Sequence, residues 1–208
     1  MLFLIDRFSV YKQEIVHGFH QELKGRSEDT ILLHNQDIGI FEYFINENLG
    51  KFDWYVVLPH FSLDKTVQER ARKIIKRIPN HKLIMADHLM SGMAGNFGAA
   101  YQDFENDVYS GLEQGAEKLE KIGNLKVIAM PTSLYWPVIK KKVTGFCQEH
   151  GIDVEFLSEA PSTVRKGDAF LILTSQLDSG LIALVDNAKG LKVGTDYHII
   201  SYNDSPVD

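Results

Sequence analysis

Cysteine is almost absent from this sequence, since Cys147 is the only one in 208 residues. A single cysteine cannot form a disulfide within the chain, which excludes a small disulfide-stabilised scaffold. It also excludes the paired cysteine ligands that hold many structural zinc ions. This composition is typical of proteins in a reducing compartment, and we therefore expect a cytoplasmic protein.

Positive charge is also scarce. Lysine and arginine number 22 against 28 acidic residues, which gives a formal net charge of −6 and a pI of about 5.7. Proteins that bind the phosphate backbone of nucleic acids need a basic surface. The chain itself is therefore not expected to bind DNA or RNA.

Long apolar runs are missing as well. No stretch approaches the roughly 20 apolar residues that a membrane-spanning helix needs. The opening MLFLIDRF places an acid directly after five apolar residues, where a signal peptide would have a basic segment before its apolar run. We expect a soluble chain that is not exported and has no membrane partner.

The sequence does contain a regular alternation of short apolar runs with segments of helical period. The runs predicted to be strands are Leu2 to Ile5, Thr30 to His34, Trp54 to Leu58, Lys82 to Ala86, Lys126 to Met130, Asp153 to Phe156, Ala169 to Leu173 and Tyr197 to Ser201. Most are continuously apolar, which is typical of parallel strands covered on both faces. Helices are predicted to begin near Ser9, Asp64, Phe104, Pro137 and Asp178 or Ser179. The alternation predicts an α/β fold built from βαβ units.

The alternation is interrupted once, between Asp87 and Tyr101, by a glycine-rich segment without a clear period. Its glycines have the spacing G-x-x-G-x-x-G, which matches neither the dinucleotide-binding loop nor the Walker loop. We therefore interpret the segment as a flexible crossing between two similar lobes rather than as a nucleotide site. The predicted lobes, each with a doubly wound parallel sheet, are residues 1–98 and 99–208.

Motifs for catalysis or metal binding are poorly represented. The patterns G-x-S-x-G and H-E-x-x-H do not occur. His17 and His20, with Glu14 nearby, could face one metal ion from a single helix, but such a site would be open and weak, and we prefer ordinary surface residues. Cys147 falls on the apolar stripe of its helix and is expected to be a buried hydrophobe rather than a nucleophile. We expect no catalytic residue, metal or cofactor.

Polar residues just beyond the predicted strands are the most informative, because open parallel sheets bind ligands outside the carboxyl ends of their strands. The candidate ligand-binding residues are Asp6, Arg7, Phe8, Tyr11, His60, Asp87, His88, Tyr135, Trp136, Lys142, Ser175, Gln176, Asn203 and Asp204. Carboxylates and amides that bond hydroxyl groups, beside flat aromatic faces, are typical of sites for polyhydroxylated ligands. Polar loops also end the strands of every α/β protein, so an ordinary surface is the competing interpretation.

Several segments carry a resemblance over nearly the whole chain. They are YWPVIKKKVTGFCQEHGIDVE, DAFLILTSQLDSGLIALVDNAKG and the tail GTDYHIISYNDSPVD. With them the chain resembles the effector-binding module of the lactose and galactose repressor superfamily, which has the type I periplasmic-binding-protein fold. The segments LFLIDRFSVYKQEIVHGFHQEL and YQDFENDVYSGLEQGAEKLEKI look most like regulators of the GntR family from Bacteroidetes that carry this sensor, including L-fucose operon regulators.

The resemblance implies a sugar-sensing domain of a cytoplasmic transcription regulator, with L-fucose or another monosaccharide bound between its lobes. It implies a homodimer joined through the outer face of the first lobe, in which the ligand alters the spacing of two DNA-reading heads. The DNA reader would be a winged-helix domain that this chain lacks. An enzyme of doubly wound fold acting on a sugar or sugar phosphate, with Asp87 and His88 as acid and base, stays open, as does an exported solute-binding protein.

Two features depart from the family pattern. The chain stops at Asp208, about where the family returns to its first lobe, so we expect a fragment truncated at the second crossing between lobes. Lys142 replaces an arginine of the family's sugar sites, and Asn203 replaces an acid. Both keep hydrogen-bonding capacity but lose a bidentate fork or a charge, so the identity of the sugar stays open.

Overall fold

The computed structural model describes residues 1–24, 26, 28–129, 134–173 and 183–202. The chain forms two compact units, Met1–Asp103 and Phe104–Asp208. Each unit contains one sheet whose neighbouring strands are all parallel. The α/β fold with two parallel sheets that the sequence predicts is therefore confirmed.

The first unit alternates strands and helices along the chain. Its elements are β1 (Leu2–Ile5), α1 (Val10–Leu23), β2 (Thr30–Leu33), α2 (Ile38–Asn48), β3 (Tyr55–Val57), α3 (Lys65–Ile75), β4 (Leu83–Asp87) and β5 (Gly98–Tyr101). The strands lie in the order β2-β1-β3-β4-β5. Because all neighbours are parallel, the carboxyl ends of the five strands meet at one edge of the sheet.

Burial on both faces explains why β1 reads as a continuous apolar run. Leu2 and Leu4 join one core cluster with residues of α2 and α3, while Phe3 and Ile5 join the opposite cluster with Val16 of α1. Alternate residues of a strand point to opposite faces, so each face of the sheet has its own core. Burying each of these side chains contributes about 1.5–3 kcal/mol. The sheet is therefore a rigid support for whatever its edge carries.

Two elements of the first unit differ from the sequence prediction. No helix was predicted for Ile38–Asn48, where α2 forms, although Asp37 caps it by accepting hydrogen bonds from two backbone amides. The flexible crossing expected before Tyr101 is wrong for residues 98–101, because these form β5 and pair with β4. The first compact unit runs from Met1 to Asp103.

Gly95 shows why glycine is needed in this segment. Its φ is +147°, and a Cβ atom there would lie 2.5 Å from the side-chain nitrogen of Asn80. A residue with a side chain would force this contact apart. Gly95 therefore serves a tight backbone path into β5.

The second unit repeats the design with a smaller sheet. Its labelled elements are α4 (Phe104–Glu113), α5 (Ala116–Ile122), β6 (Asn124–Ile128), α6 (Trp136–Glu149), β7 (Asp153–Leu157), β8 (Ala169–Ile172) and β9 (His198–Ser201), in the sheet order β7-β6-β8-β9. The single helix predicted from Phe104 is interrupted at Gly115. Cys147 is buried as predicted. The last helix is described only over 183–187, so its predicted start at Asp178 or Ser179 lies outside the described residues.

Within the described ranges, no helix is long and apolar enough to cross a bilayer. The same ranges contain no group of three potential metal ligands. His17 instead bonds Gln21, and His20 pairs with Asp29 at 3.0 Å. The ordinary interpretation of these two histidines is the one that the contacts support.

Candidate functional site

Every strand of the first sheet is followed or ended by a polar side chain at its carboxyl end. Across the sheet the order is His34 beyond β2, Asp6 beyond β1, His60 beyond β3, Asp87 at the end of β4 and Gln102 beyond β5. We call this row of residues the polar edge. The chain passes from β1 to β2 on one side and to β3 on the other, so the connections diverge between β1 and β3. This switch point is where open α/β sheets leave a crevice for ligands.

Two tight turns place His60 beside Asp87. After β3, the amide of His60 donates to the Leu58 carbonyl at 2.9 Å across Pro59, and after β4 the amide of His88 donates to the Ala86 carbonyl at 2.8 Å. Asp87 at the centre of the second turn has a φ of +67°, a left-handed conformation that aspartate tolerates better than most residues. Backbone strain of this kind often occurs at functional sites. The result is a distance of 2.6 Å between His60 Nε2 and Asp87 Oδ2.

The Asp87 carboxylate is the centre of a hydrogen-bond network. Its Oδ1 accepts from the Tyr11 hydroxyl at 2.9 Å and from Gln102 Nε2 at 3.0 Å. Burial alone would raise the pKa of Asp87, but the bonds from His60 and Tyr11 outweigh it and hold that pKa below its usual value. Asp87 is therefore ionised, and since a carboxylate only accepts, His60 must donate from Nε2.

Asp6 forms a second buried ionic contact at the same edge. Its Oδ1 accepts from Lys12 Nζ, and its Oδ2 lies 3.4 Å from Gln36 Nε2 and 3.8 Å from Arg7 Nε. Burial again would raise the pKa of Asp6, but the bond and charge of Lys12, together with His60 and a backbone bond from Arg7, hold it below its usual value. A second ionised carboxylate thus faces the switch point.

Two histidines at this edge are uncharged at neutral pH. Burial lowers the pKa of His34 to about 4 and that of His88 to about 4. The His34 ring stacks on Phe61 with centroids 4.7 Å apart. Neither of its nitrogens makes a well-formed hydrogen bond within the described part of the chain, although a contact with the Leu58 backbone partly opposes the effect of burial on its pKa. Asp6, Asp87 and Lys12 are therefore ionised groups at this edge, whereas His34 and His88 are not.

The carboxylates keep capacity for a ligand. An ionised carboxylate has about four acceptor positions, of which Asp87 uses three for His60, Tyr11 and Gln102. Asp6 uses one position strongly, for Lys12, one weakly, for Gln36, and one for the backbone amide of Arg7. Burial and Asp87 raise the pKa of the Tyr11 hydroxyl, which keeps it protonated. The remaining acceptors suit hydroxyl donors of a ligand.

The first-unit residues predicted from the sequence divide into two groups. Asp6, Tyr11, His60 and Asp87 belong to the polar networks, and the His88 ring lies 6.3 Å from that of His60. The other two, Arg7 and Phe8, have exposed side chains next to Asp6. The sequence prediction missed Lys12, His34, Gln36 and Gln102. The available signal for His34 was its position at the end of a predicted strand.

The predicted residues of the second unit are only partly described. Tyr135 stacks on Phe104 with centroids 4.2 Å apart, and Trp136 packs edge-to-face on Phe156 at 5.4 Å. Lys142 is half-buried on α6. The other predicted site residues of this unit lie outside the described residues: Ser175, Gln176, Asn203 and Asp204.

Comparison with known proteins supports the fold. No protein-family model matches the chain, and no curated protein matches it. A LacI-family transcriptional regulator from Lactobacillus casei, solved with bound glucose, is 13% identical with a TM-score of 0.64 over 99% of this chain and 82% of that one. A periplasmic solute-binding protein from Actinobacillus succinogenes, solved with bound D-allose, is 16% identical with a TM-score of 0.62 over 95% and 76%.

A LacI-family repressor from Corynebacterium glutamicum gives a TM-score of 0.59 at 13% identity, over 99% of this chain and 77% of that one. At such identities the likeness concerns the fold. The chain therefore has the α/β fold, with two parallel sheets, that LacI-family effector-binding domains share with periplasmic sugar-binding proteins of type I.

Proposed function

We propose that the chain binds a neutral monosaccharide at the polar edge and is the effector-sensing part of a bacterial transcription regulator. The observation that carries the proposal is the pair of buried, ionised carboxylates, Asp6 and Asp87, that flank His60 and keep acceptor capacity. Buried carboxylates are costly unless they are paired. Their internal partners keep them charged, and sugar hydroxyls are donors that match the positions left over.

The charge of the site favours a neutral sugar over a phosphorylated one. Two buried carboxylates, Asp6 and Asp87, lie here beside Lys12 and His60, while His34 and His88 are uncharged at neutral pH. A phosphate that reached the free acceptor positions of these carboxylates would be repelled, and repulsion is strong in a partly desolvated place. Arg7 offers a cation, but its side chain is 68% exposed and is well screened by solvent.

The fold neighbours support this class of ligand. The regulator from Lactobacillus casei was solved with glucose and with sucrose, and the solute-binding protein from Actinobacillus succinogenes with D-allose. One regulator and one transport protein of this fold have thus each been solved with a sugar bound. We place the chain among regulators because the segments quoted above resemble GntR-family regulators. On the same basis we propose L-fucose as a candidate sugar. We also propose that the protein is located in the cytoplasm.

The remaining features follow from the same resemblance. We propose that the regulator is a homodimer and contacts DNA through a winged-helix domain outside residues 1–208. The predicted residues of the second unit are proposed as further sugar contacts: Tyr135, Trp136, Lys142, Ser175, Gln176, Asn203 and Asp204. Trp136 packs on Phe156, and the Lys140 ammonium lies over its ring. A sugar would therefore contact the part of the indole that these two residues leave uncovered.

A panel of sugars tests the proposal. The folded chain is heated with neutral pentoses, hexoses and deoxyhexoses, including L-fucose, D-glucose and D-allose, and with their phosphates. We expect at least one neutral sugar to bind with micromolar affinity, about −8 kcal/mol, and to raise the unfolding temperature. At about 100 times the dissociation constant the added stability is about 2.7 kcal/mol.

The corresponding sugar phosphate is expected to bind more weakly than the neutral sugar. The proposal would be contradicted if no neutral sugar raised the unfolding temperature of a folded sample, or if a sugar phosphate bound more tightly than its neutral sugar. Chemical analysis of the same mixtures after incubation distinguishes sensing from catalysis. We expect every sugar to be recovered unchanged.

A further inference from the structure

Lys12 occupies a place where lysine is rarely found. It lies on the inner face of α1 with Val16, and its side chain is only 10% exposed. A buried ammonium group is unfavourable unless it is paired. Its partner is Asp6, whose side chain is only 2% exposed. The pair thus joins the first turn of α1 to the end of β1, inside the polar edge.

Stability alone does not explain this pair. Replacing a buried ion pair with well-packed apolar residues often leaves a protein equally stable or makes it more stable. The charge of Lys12 also acts beyond the pair, because it favours ionisation of Asp87 as well as of Asp6. One buried cation therefore serves the two carboxylates on which the proposed sugar site depends.

We propose that Lys12 is a positioning residue that acts through Asp6, holding its carboxylate in place and charged so that the free acceptor positions face the sugar. The proposal rests on the proposed function for its sugar, but the charge of Asp6 can be measured without one. Lys12 itself uses its ammonium group for Asp6 and need not touch the ligand.

Other groups around Asp6 compete with Lys12 for this role. Arg7 on the same loop is 3.8 Å from Oδ2 but largely exposed. His60 beyond β3 also favours the charged carboxylate, whereas His34 beyond β2 is uncharged near neutral pH. Gln36 contributes only a neutral contact at 3.4 Å. Lys12 is the buried cation in direct contact, so its removal should have the largest effect.

The decisive test follows the Asp6 carboxyl carbon by NMR as a function of pH in the ligand-free full chain. In the Lys12→Met variant we expect the midpoint of the Asp6 titration to rise by about 2 pH units or more, because burial then acts without its counter-ion. Lys12→Arg should restore a low midpoint. Lys73→Met, which removes an exposed lysine of α3, is the control and should leave Asp6 unchanged.

Sugar affinity provides the second measurement, with whichever sugar of the panel binds the wild type. Relative to the wild type, Lys12→Met should lose about threefold or more of its affinity between pH 8 and pH 5, as Asp6 takes up a proton. If Lys12→Met does not fold, the double variant Lys12→Met/Asp6→Asn should fold, since it leaves no unpaired charge.

An Asp6 titration that is unchanged in folded Lys12→Met would overturn the proposal, as would a double variant that is as unfolded as the single one. Failure of all panel sugars to bind the wild type would contradict the proposed function instead. The Asp6 titration would then still decide the role of Lys12.

Discussion

Replacing Asp87 with asparagine is expected to weaken sugar binding about a hundredfold, or about 3 kcal/mol, in a chain that still folds. The Asp87 carboxylate accepts from His60, Tyr11 and Gln102, and His60 and Tyr11 hold it ionised. An amide of the same shape has one oxygen and directs an NH₂ group at donors, so at least one internal bond and the acceptor for the sugar are lost together.

Calorimetry of Asp87→Asn with the tightest sugar of the panel measures this loss. Asp53→Asn is the matched control, because its carboxylate belongs to the same unit but is 97% exposed. The control should bind like the wild type. Equal affinity of folded Asp87→Asn and wild type would mean that the sugar does not use the polar edge.

Replacing His34 with phenylalanine is expected to stabilise the chain, most of all in acid. The folded pKa of His34 is about 4, against an ordinary value of 6.5, so between these values the unfolded chain binds more protons than the folded one. Stability due to the neutral ring is therefore complete above pH 6.5 and is lost as the pH falls towards 4. The full loss is about 3 kcal/mol by linkage.

Phenylalanine cannot be protonated and fits the aromatic contacts that His34 makes with Phe41 and Phe61. At pH 8 the variant should gain about 1 kcal/mol, because two buried nitrogens that lack a well-formed hydrogen bond are removed. Near pH 4.5 the protonation cost of His34, about 2.5 kcal/mol, adds to this difference, so the gain should reach about 3.5 kcal/mol. Urea unfolding of variant and wild type across this range measures both values.

His88 keeps part of the acid sensitivity in the variant, because its pKa is also about 4. The quantity to compare is therefore the dependence of the free energy of unfolding on pH in the variant and in the wild type. The contradicting result is a His34→Phe chain that is less stable than the wild type at pH 8 and whose free energy of unfolding has the same dependence on pH. It would show that a polar partner stabilises His34 and that our description of this end of the polar edge is wrong.

The elements that sequence reasoning predicted well are those whose signal is local. The continuous run LFLI gives β1 its predicted limits, and Asp64 caps α3 where the sequence indicates. α2 was missed because IGIFEYFINEN is apolar on too many sides to show a clear stripe. β5 was missed because GAAY has little β propensity of its own, and its strand depends on pairing with β4.

The candidate site likewise contains residues with a local sequence signal and residues whose role depends on the fold. Positions at strand ends predicted Asp6, His60 and Asp87, because parallel strands expose their carboxyl ends together. The pairing of His60 with Asp87 depends on β3 and β4 being neighbours, which the order of the chain does not reveal. Lys12 was missed because lysine at helical spacing is usually solvated, and only the fold brings Asp6 beneath it.

The central claim is that a neutral sugar binds at the polar edge, and a crystal structure of the chain with the tightest sugar of the panel tests it most directly. We predict sugar hydroxyls within about 2.5–3.0 Å of carboxylate oxygens of Asp87 and Asp6, with His60 and Lys12 still on their internal partners. A sugar bound elsewhere, with no hydroxyl on either carboxylate, would contradict the account.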